Sequence, residues 1–332
     1  CKPDKREYGS KNMSVMITGI NGMTGLHTAQ RLLQESLEVV GYDNNRNGEL
    51  AFYPEVEGKI RVVWGDMVHF GHLLETVEKH GVEHIIHLAA LRNEVLYKTI
   101  PTVLLRVNIG GLTNILELAR IGKIKRVIFA GSAAVYGPMD DPDQYIPEDA
   151  PLDPKGIYAN SKAMCESLCR AYRNVYGVDV LVLRPSRVYG RLANLDTLEF
   201  GNPISSFVYQ LLQGKSIEED SGADFGGDFT YVPDLAYGCY RALVTPHPEN
   251  WIFNISNGVF YRLSEVAAAL GEIFPKARIA IGPGRHPYIT QSPMRGPLDI
   301  GRAQKELSFS VAHDLKGSLE HFVETLRQRQ RL

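Results

Sequence analysis

Long apolar runs, paired cysteines and a surplus of either charge are all missing from this chain, and each absence excludes a class of protein. No stretch approaches the ~20 consecutive apolar residues that a bilayer-spanning helix needs, so no membrane partner is expected. The formal net charge is −2, with no basic block in either half, which leaves no electrostatic footprint for nucleic acid. The four cysteines, Cys1, Cys165, Cys169 and Cys239, lack the spacing of a zinc site or a disulfide framework. They point to a reducing compartment and a cytoplasmic protein. Cys165 and Cys169 fall i,i+4 on one expected helix and read as small buried hydrophobes. His27, His69, His72, His80, His84 and His87 are scattered without ligand spacing, so no metal is expected. The polar opening CKPDKREYGSKN has no apolar core of a signal peptide, and residues 1–13 read as a disordered tail.

What is present is an ordinary globular composition, 44% hydrophobic and 22% charged over 332 residues. That length suits one large domain or two closely packed ones, with a small molecule as the expected partner. From Ser14 to about Arg184, short apolar runs (VMIT, EVVGYD, IRVVWGD, HIIHLAA, RVIFAGS, DVLVLRP) alternate with helical stretches. Continuous apolar strands separated by helices predict a parallel sheet covered on both faces, a doubly wound α/β domain. LLRVNIGGLTNILELARIG reads as one long helix, and a further helix spans about Ile157 to Tyr176. Beyond Arg184 the alternation weakens, and helices such as PISSFVYQLLQG and LSEVAAALGEIF sit among Gly- and Pro-rich stretches. The expected division is residues 14–185, with a return segment near 228–258, and a smaller α/β substrate lobe within 186–332.

TGINGMTG, between the first strand and the first helix, spaces glycines at Gly19, Gly22 and Gly25. Such a turn can carry backbone amides and a helix dipole to a pyrophosphate, or simply link strand to helix. Asp43, ending the second strand, tips the reading towards a dinucleotide, because its carboxylate can accept both hydroxyls of an adenosine ribose. A 2′-phosphate would be repelled by that carboxylate, although Arg46 leaves the phosphorylated cofactor open. Asp66, at the third strand's end, can face adenine or serve as a loop cap.

YANSK places Tyr158 and Lys162 at i,i+4, on one helix face. An ammonium near a phenol favours phenolate, so such a tyrosine can exchange a proton with a substrate hydroxyl. Ser132, at a strand end on the same side of the sheet, can donate to an oxygen on which charge develops, or cap a turn.

Together, the glycine loop, Asp43, Asp66, HLAA from His87, Asn108, S-x-x-V-Y-G from Ser132, Y-x-x-x-K and LRPSRVYG resemble the extended short-chain dehydrogenase/reductases. Within that family they are similar to the NAD-dependent epimerase/dehydratase group. The resemblance covers about Ser14 to Phe309 and implies a Rossmann-type fold, bound NAD, a Ser132/Tyr158/Lys162 active site and, often, a homodimer joined through two long helices per subunit. It implies that Gly19, Gly22, Met23 and Thr24 line the pyrophosphate, that Asp43, Asn44 and Asn47 line the adenosine ribose, and that Asp66 and Met67 meet adenine. Leu88, Ala89 and Ala90 lie beneath the cofactor, and Arg92 reaches a cofactor phosphate. Asn108 supports the active site, Pro185 and Ser186 border the nicotinamide, and Lys162 also holds its ribose.

Three departures narrow the reaction. Ala133 and Ala134 stand where the dehydratases carry an acid and a base, so dehydration is disfavoured. Arg184, Pro185, Ser186 and Arg187 replace the epimerases' R-x-F-N. Gly227 replaces the arginine of an R-D-F/Y motif that contacts a substrate diphosphate, a contact worth roughly 1.5–3 kcal/mol, so a nucleotide-diphosphate substrate is disfavoured. Arg187, Arg191 and Arg295 are candidates to hold an anionic group of the substrate, with a solvated-surface role equally open for Arg191. The expected activity is epimerisation or oxidation at a secondary hydroxyl of a sugar or sugar derivative, with Tyr158 as general base. The alternatives are net dehydrogenation of a non-nucleotide sugar, sugar acid or other secondary alcohol, and a non-catalytic NAD-sensing role.

Overall fold

The computed structural model describes residues 13–46, 49–92, 99–139, 141, 143–191, 203–285 and 294–330. Residues 1–12 of the expected tail, and Asn47, lie outside the described residues. The apolar runs form β1 (Ser14–Thr18), β2 (Glu38–Asp43), β3 (Arg61–Trp64), β4 (His84–His87), β5 (Arg126–Ala130) and β6 (Val180–Pro185), joined much later by β9 (Ile252–Ile255). They build one seven-stranded parallel sheet in the order β3-β2-β1-β4-β5-β6-β9. The chain starts at β1, builds out to β3 and returns to β4 on the other side of β1. The reversal opens a crevice at the carboxyl ends of β1 and β4, where ligands bind in doubly wound folds.

Both faces of the sheet are apolar because both are covered. On one, α1 (Met23–Gln34) and α7 (Val232–Val244) bury Leu26, Leu32, Leu235 and Leu243 against Val15 and Ile17. On the other, α2 (Phe70–Lys79), α4 (Gly111–Arg120) and α5 (Gly156–Tyr176) bury Leu73, Ile115, Cys165 and Cys169 against Met16 and Val127. Cys165, Cys169 and Cys239 are free, buried thiols.

A third core, with Ile204, Phe207, Phe229, Leu270 and Phe322, gathers α6 (Pro203–Leu212), α8 (Leu263–Ile273) and α10 (Leu315–Gln330). Two small sheets belong to this part: β7 (Ile217–Glu219) with β11 (Ile279–Ile281), parallel, and β8 (Gly226–Asp228) with β10 (Phe260–Arg262), antiparallel. The short helix α9 (Gly301–Leu307) covers β9. No helix among the described residues is long and apolar enough to cross a membrane.

The single helix expected over LLRVNIGGLTNILELARIG is instead interrupted. Helix α3 (Pro101–Leu105) passes through a π-helical turn, Arg106–Gly110, before α4 begins. Wide turns of this kind occur at functional sites, where they re-aim one residue of a helix. Here the turn carries the buried Asn108, whose side chain accepts from Leu91 N (2.8 Å) and donates to Leu91 O (3.0 Å) and to Ser161 Oγ (3.0 Å).

Candidate active site

The glycine loop closes the top of β1. Gly19 takes φ +73°, and a Cβ there would lie 2.7 Å from Ala89 N; a Cβ on Gly25 would lie 2.2 Å from Gly19 O. Only glycine lets the loop lie this close to the strand-end segment Leu88–Ala90 and to the turn of α1. Helix α1 starts at Met23 after an N-cap, Gly22, that offers no side-chain hydrogen bond, and its first turn has no acidic residue. Its leading amides, those of Met23 and Thr24 included, and its positive dipole end are therefore open to an anion.

Asp43 reaches across from β2: Oδ2 accepts from Asn21 N and Oδ1 from Asn45 N, both at 2.9 Å. Each carboxylate oxygen retains acceptor capacity for a ribose hydroxyl. Asn44 is exposed next to it. Half-buried Asp66 accepts from Val68 N through Oδ1 at 3.1 Å and is followed by buried Met67, packed on Gly111 of α4. Leu88, Ala89 and Ala90 are half-buried after β4, and Arg92 is exposed. These positions follow the carboxyl ends of β1, β2, β3 and β4, and an adenine dinucleotide fits the donors and acceptors they present.

The catalytic candidates stand at the ends of β5 and in the first turns of α5. Ser132 caps a short 3₁₀ turn, Ala133–Tyr136, with Oγ accepting from Ala134 N at 3.1 Å. Lys162 is buried, donates from Nζ to Ala130 O at 2.7 Å, and lies 5.8 Å from the centre of the Tyr158 ring. Its ammonium also lies 4.8 Å from the Phe129 ring, which stacks on His87. His87 is held neutral by burial and by the nearby Lys162 cation, its pKa lowered to about 3, and its Nδ1 pairs with Thr18 Oγ1 at 2.7 Å. It is a packing residue with one satisfied polar contact.

At the end of β6, Pro185 pairs with Ile255 of β9, and buried Ser186 donates its backbone N to Thr230 Oγ1 at 3.2 Å. Arg187 follows with φ +27°, a left-handed conformation that side chains rarely adopt. Its guanidinium lies over the Phe225 ring at 4.8 Å and packs against Gly227, where a Cβ would be 2.5 Å from Nε. Burial, reinforced by the Arg295 cation, lowers the Arg187 pKa to about 9. Burial likewise lowers Arg295 to about 10, and Arg295 Nε has no hydrogen-bond partner among the described residues. Half-buried Arg187 beside the buried Arg295 cation, each disfavoured in its charged form by desolvation, makes a site that favours an anion.

Arg191 is engaged elsewhere. Its guanidinium lies 3.5 Å from the centre of the Tyr53 ring and 3.5 Å from Glu55 Oε1, and its carbonyl accepts from Tyr53 OH at 2.9 Å.

Three polar features of the site escaped the sequence reading. Asn21, inside the glycine loop, donates from Nδ2 to Asn45 O at 2.6 Å, and its buried Oδ1 has no hydrogen-bond partner among the described residues. Arg184 and Glu166 form a buried bidentate pair, with Nε to Oε1 at 3.0 Å and Nη2 to Oε2 at 2.6 Å. Tyr136 accepts from Arg184 Nη1 at 2.7 Å and donates to Asn254 Oδ1 at 2.7 Å. The available signals were the position of Asn21 between two glycines and the presence of a charged residue in each of two buried stretches.

Comparison with known proteins gives the family and the fold. The model of the NAD-dependent epimerase/dehydratase family matches residues 15–256. The chain is 30% identical over 249 residues to UDP-glucuronate 4-epimerase 1 of Arabidopsis thaliana, a match covering 71% of this chain and 56% of the plant protein. It is 26% identical over 328 residues to an uncharacterised protein of Methanocaldococcus jannaschii, covering 94% and 95% of the two chains. The UDP-glucose 4-epimerase of Thermus thermophilus, solved with NAD, superposes with a TM-score of 0.81 at 24% identity, over 95% of this chain and 99% of that one. The chain belongs to the NAD-dependent epimerase/dehydratase family and is an NAD-dependent enzyme of the extended short-chain dehydrogenase/reductase type.

Proposed function

We propose that this protein epimerises a secondary hydroxyl carbon of a nucleoside diphosphate sugar, with NAD regenerated in each turnover. The observation that carries the proposal is the placement of Ser132, Tyr158 and Lys162 around one strand end, with Arg187, after β6, neighbouring the buried Arg295. The glycine loop, Asp43, Asn44, Asp66, Met67 and Leu88–Ala90 hold the cofactor, together with Arg92, Asn108, Lys162, Pro185 and Ser186. Bound there, NAD supplies the hydride acceptor and donor.

Tyr158, as phenolate, takes the proton of the substrate hydroxyl and later returns it. Ser132 donates a hydrogen bond to that oxygen as its charge changes. Lys162 sets its ammonium 5.8 Å from the centre of the Tyr158 ring, where a positive charge assists the proton transfer. Epimerisation requires the keto intermediate to present its other face before reduction, so the same three residues serve both halves of the cycle. Arg187 and Arg295 hold the substrate's anionic group and keep the intermediate from leaving.

The division of labour follows the sheet. Residues 14–185 and the β9 return bind cofactor, and most of 186–332 shapes the substrate site. We also propose a cytoplasmic homodimer. The exposed apolar side chains Ile100 and Val103, at the N-cap of and within α3, and Met164, Val175 and Tyr176 on α5, support pairing through these helices.

A second reading rests on the same arginine pair, which suits a sugar-acid carboxylate equally well: net oxidation with release of a ketone or lactone. Purified protein incubated with NAD and a panel of UDP-sugars and sugar acids separates the two. Isomer without net NADH supports epimerisation, whereas NADH formed in step with product supports oxidation.

A further inference from the structure

Lys162 shares its surroundings with a carboxylate. Glu166 follows it by one turn on the same face of α5, and the two are almost completely buried. Lys162 Nζ is bonded to Ala130 O, and a Cβ on the next residue, Gly131, would lie 3.0 Å from Glu166 Oε1. The glycine is what admits the carboxylate to the end of β5, beside the ammonium. Both charges act on the Cys165 thiol between them, whose pKa burial raises to about 11. A lysine and a glutamate at this spacing ordinarily attract each other. Here both Glu166 oxygens are instead taken by Arg184, and its remaining Nη1 is fixed by Tyr136 Oη at 2.7 Å and Glu148 O at 2.8 Å.

We infer that Arg184 is an electrostatic positioning residue: by holding Glu166 in a bidentate ion pair, it keeps the Lys162 charge available to Tyr158. The inference rests on Tyr158 and Lys162 being the proton-transfer pair. Several other groups surround the cluster. His87 of β4 is neutral, the Cys165 and Cys169 thiols are raised by burial, Tyr136 is raised to about 12 chiefly by burial, and Glu148 is raised by burial. Arg184 itself is pulled up by Glu166 against the cost of burial, so it stays charged. Within this set, Arg184 and Glu166 form a compensated ion pair beside the Lys162 charge.

The two partners of an ion pair that acts only as a strut are equivalent, because removing either breaks the same bonds. As an electrostatic screen they are opposite. Arg184→Met leaves a carboxylate free to draw on Lys162, so phenolate at position 158 forms at higher pH. Glu166→Gln leaves an extra cation, so phenolate forms at lower pH. The double variant restores the wild-type balance.

The test uses the NAD-loaded protein and needs no sugar: phenolate absorbance is titrated in each variant, with the same variant carrying Tyr158→Phe subtracted. Opposite displacements for the two single variants, about one pH unit for Arg184→Met, with return in the double variant, are expected. Displacements in the same direction, or none, overturn the inference while leaving the Tyr158 reading intact. If Arg184→Met does not fold, Glu166→Gln against the double variant decides by the sign of its shift. Turnover that survives Tyr158→Phe overturns both readings.

Discussion

The side chain that Gly227 lacks is where Arg187 lies: a Cβ at residue 227 would stand 2.5 Å from Arg187 Nε and 2.7 Å from its Cδ. The two residues come from separate segments, β8 and the stretch after β6, and a side chain at 227 would exclude Arg187 from its place. The absence of a cation at 227 is therefore accompanied by one delivered from 187, so Gly227 does not argue against an anionic substrate.

Gly227→Ala tests this directly. The backbone at Gly227 has no positive φ, so the added methyl displaces the Arg187 side chain without straining β8. We expect the substrate KM to rise about tenfold or more, the loss of one charge-assisted contact, with kcat and melting temperature near wild type. Unchanged KM removes Arg187 from the substrate site.

Tyr158→Phe keeps the ring and deletes the proton carrier. Turnover should fall by about 10²–10⁴-fold, while NAD still quenches intrinsic fluorescence as in wild type. Activity within a few fold of wild type assigns the base elsewhere.

Gly19→Ala should remove cofactor binding through the loop. It imposes a strained φ of +73° and drives a methyl into Ala89 N at 2.7 Å. The expected result is loss of NAD from the purified protein and a lower melting temperature; retention of both places the pyrophosphate elsewhere.

Acid stability follows from the buried histidines. His27 and His87 have pKa values lowered from 6.5 to about 3, chiefly by burial. Below pH 6.5 the unfolded chain binds protons at these positions that the folded chain refuses, so stability present above pH 6.5 is lost as pH falls towards 3. Urea midpoints between pH 7 and 5 should fall, and His87→Gln should reduce the slope by up to ~1.4 kcal/mol per pH unit. An unchanged slope contradicts the buried, neutral assignment.

Much of this was legible in the sequence because it is local. The i,i+4 spacing of Tyr158 and Lys162, the glycine loop and the apolar strand runs are set by short-range geometry, and α5 begins within a residue of its expected start. The π-helical turn was not legible, and the contacts its Asn108 makes, to Leu91 and to Ser161, lie far along the chain. The Arg184–Glu166 pair and the Arg187–Gly227 exclusion are likewise contacts between elements. A single sequence shows their charges and gaps but not which charge fills which gap.

The most direct test of the central claim incubates the NAD-loaded protein with UDP-glucose, UDP-galactose, UDP-N-acetylglucosamine and UDP-glucuronate, following products by NMR and NADH by absorbance in the same sample. An inverted sugar accumulating to equilibrium with no net NADH, abolished by Tyr158→Phe, is the predicted result. Stoichiometric NADH release with product, or turnover that survives Tyr158→Phe, contradicts it.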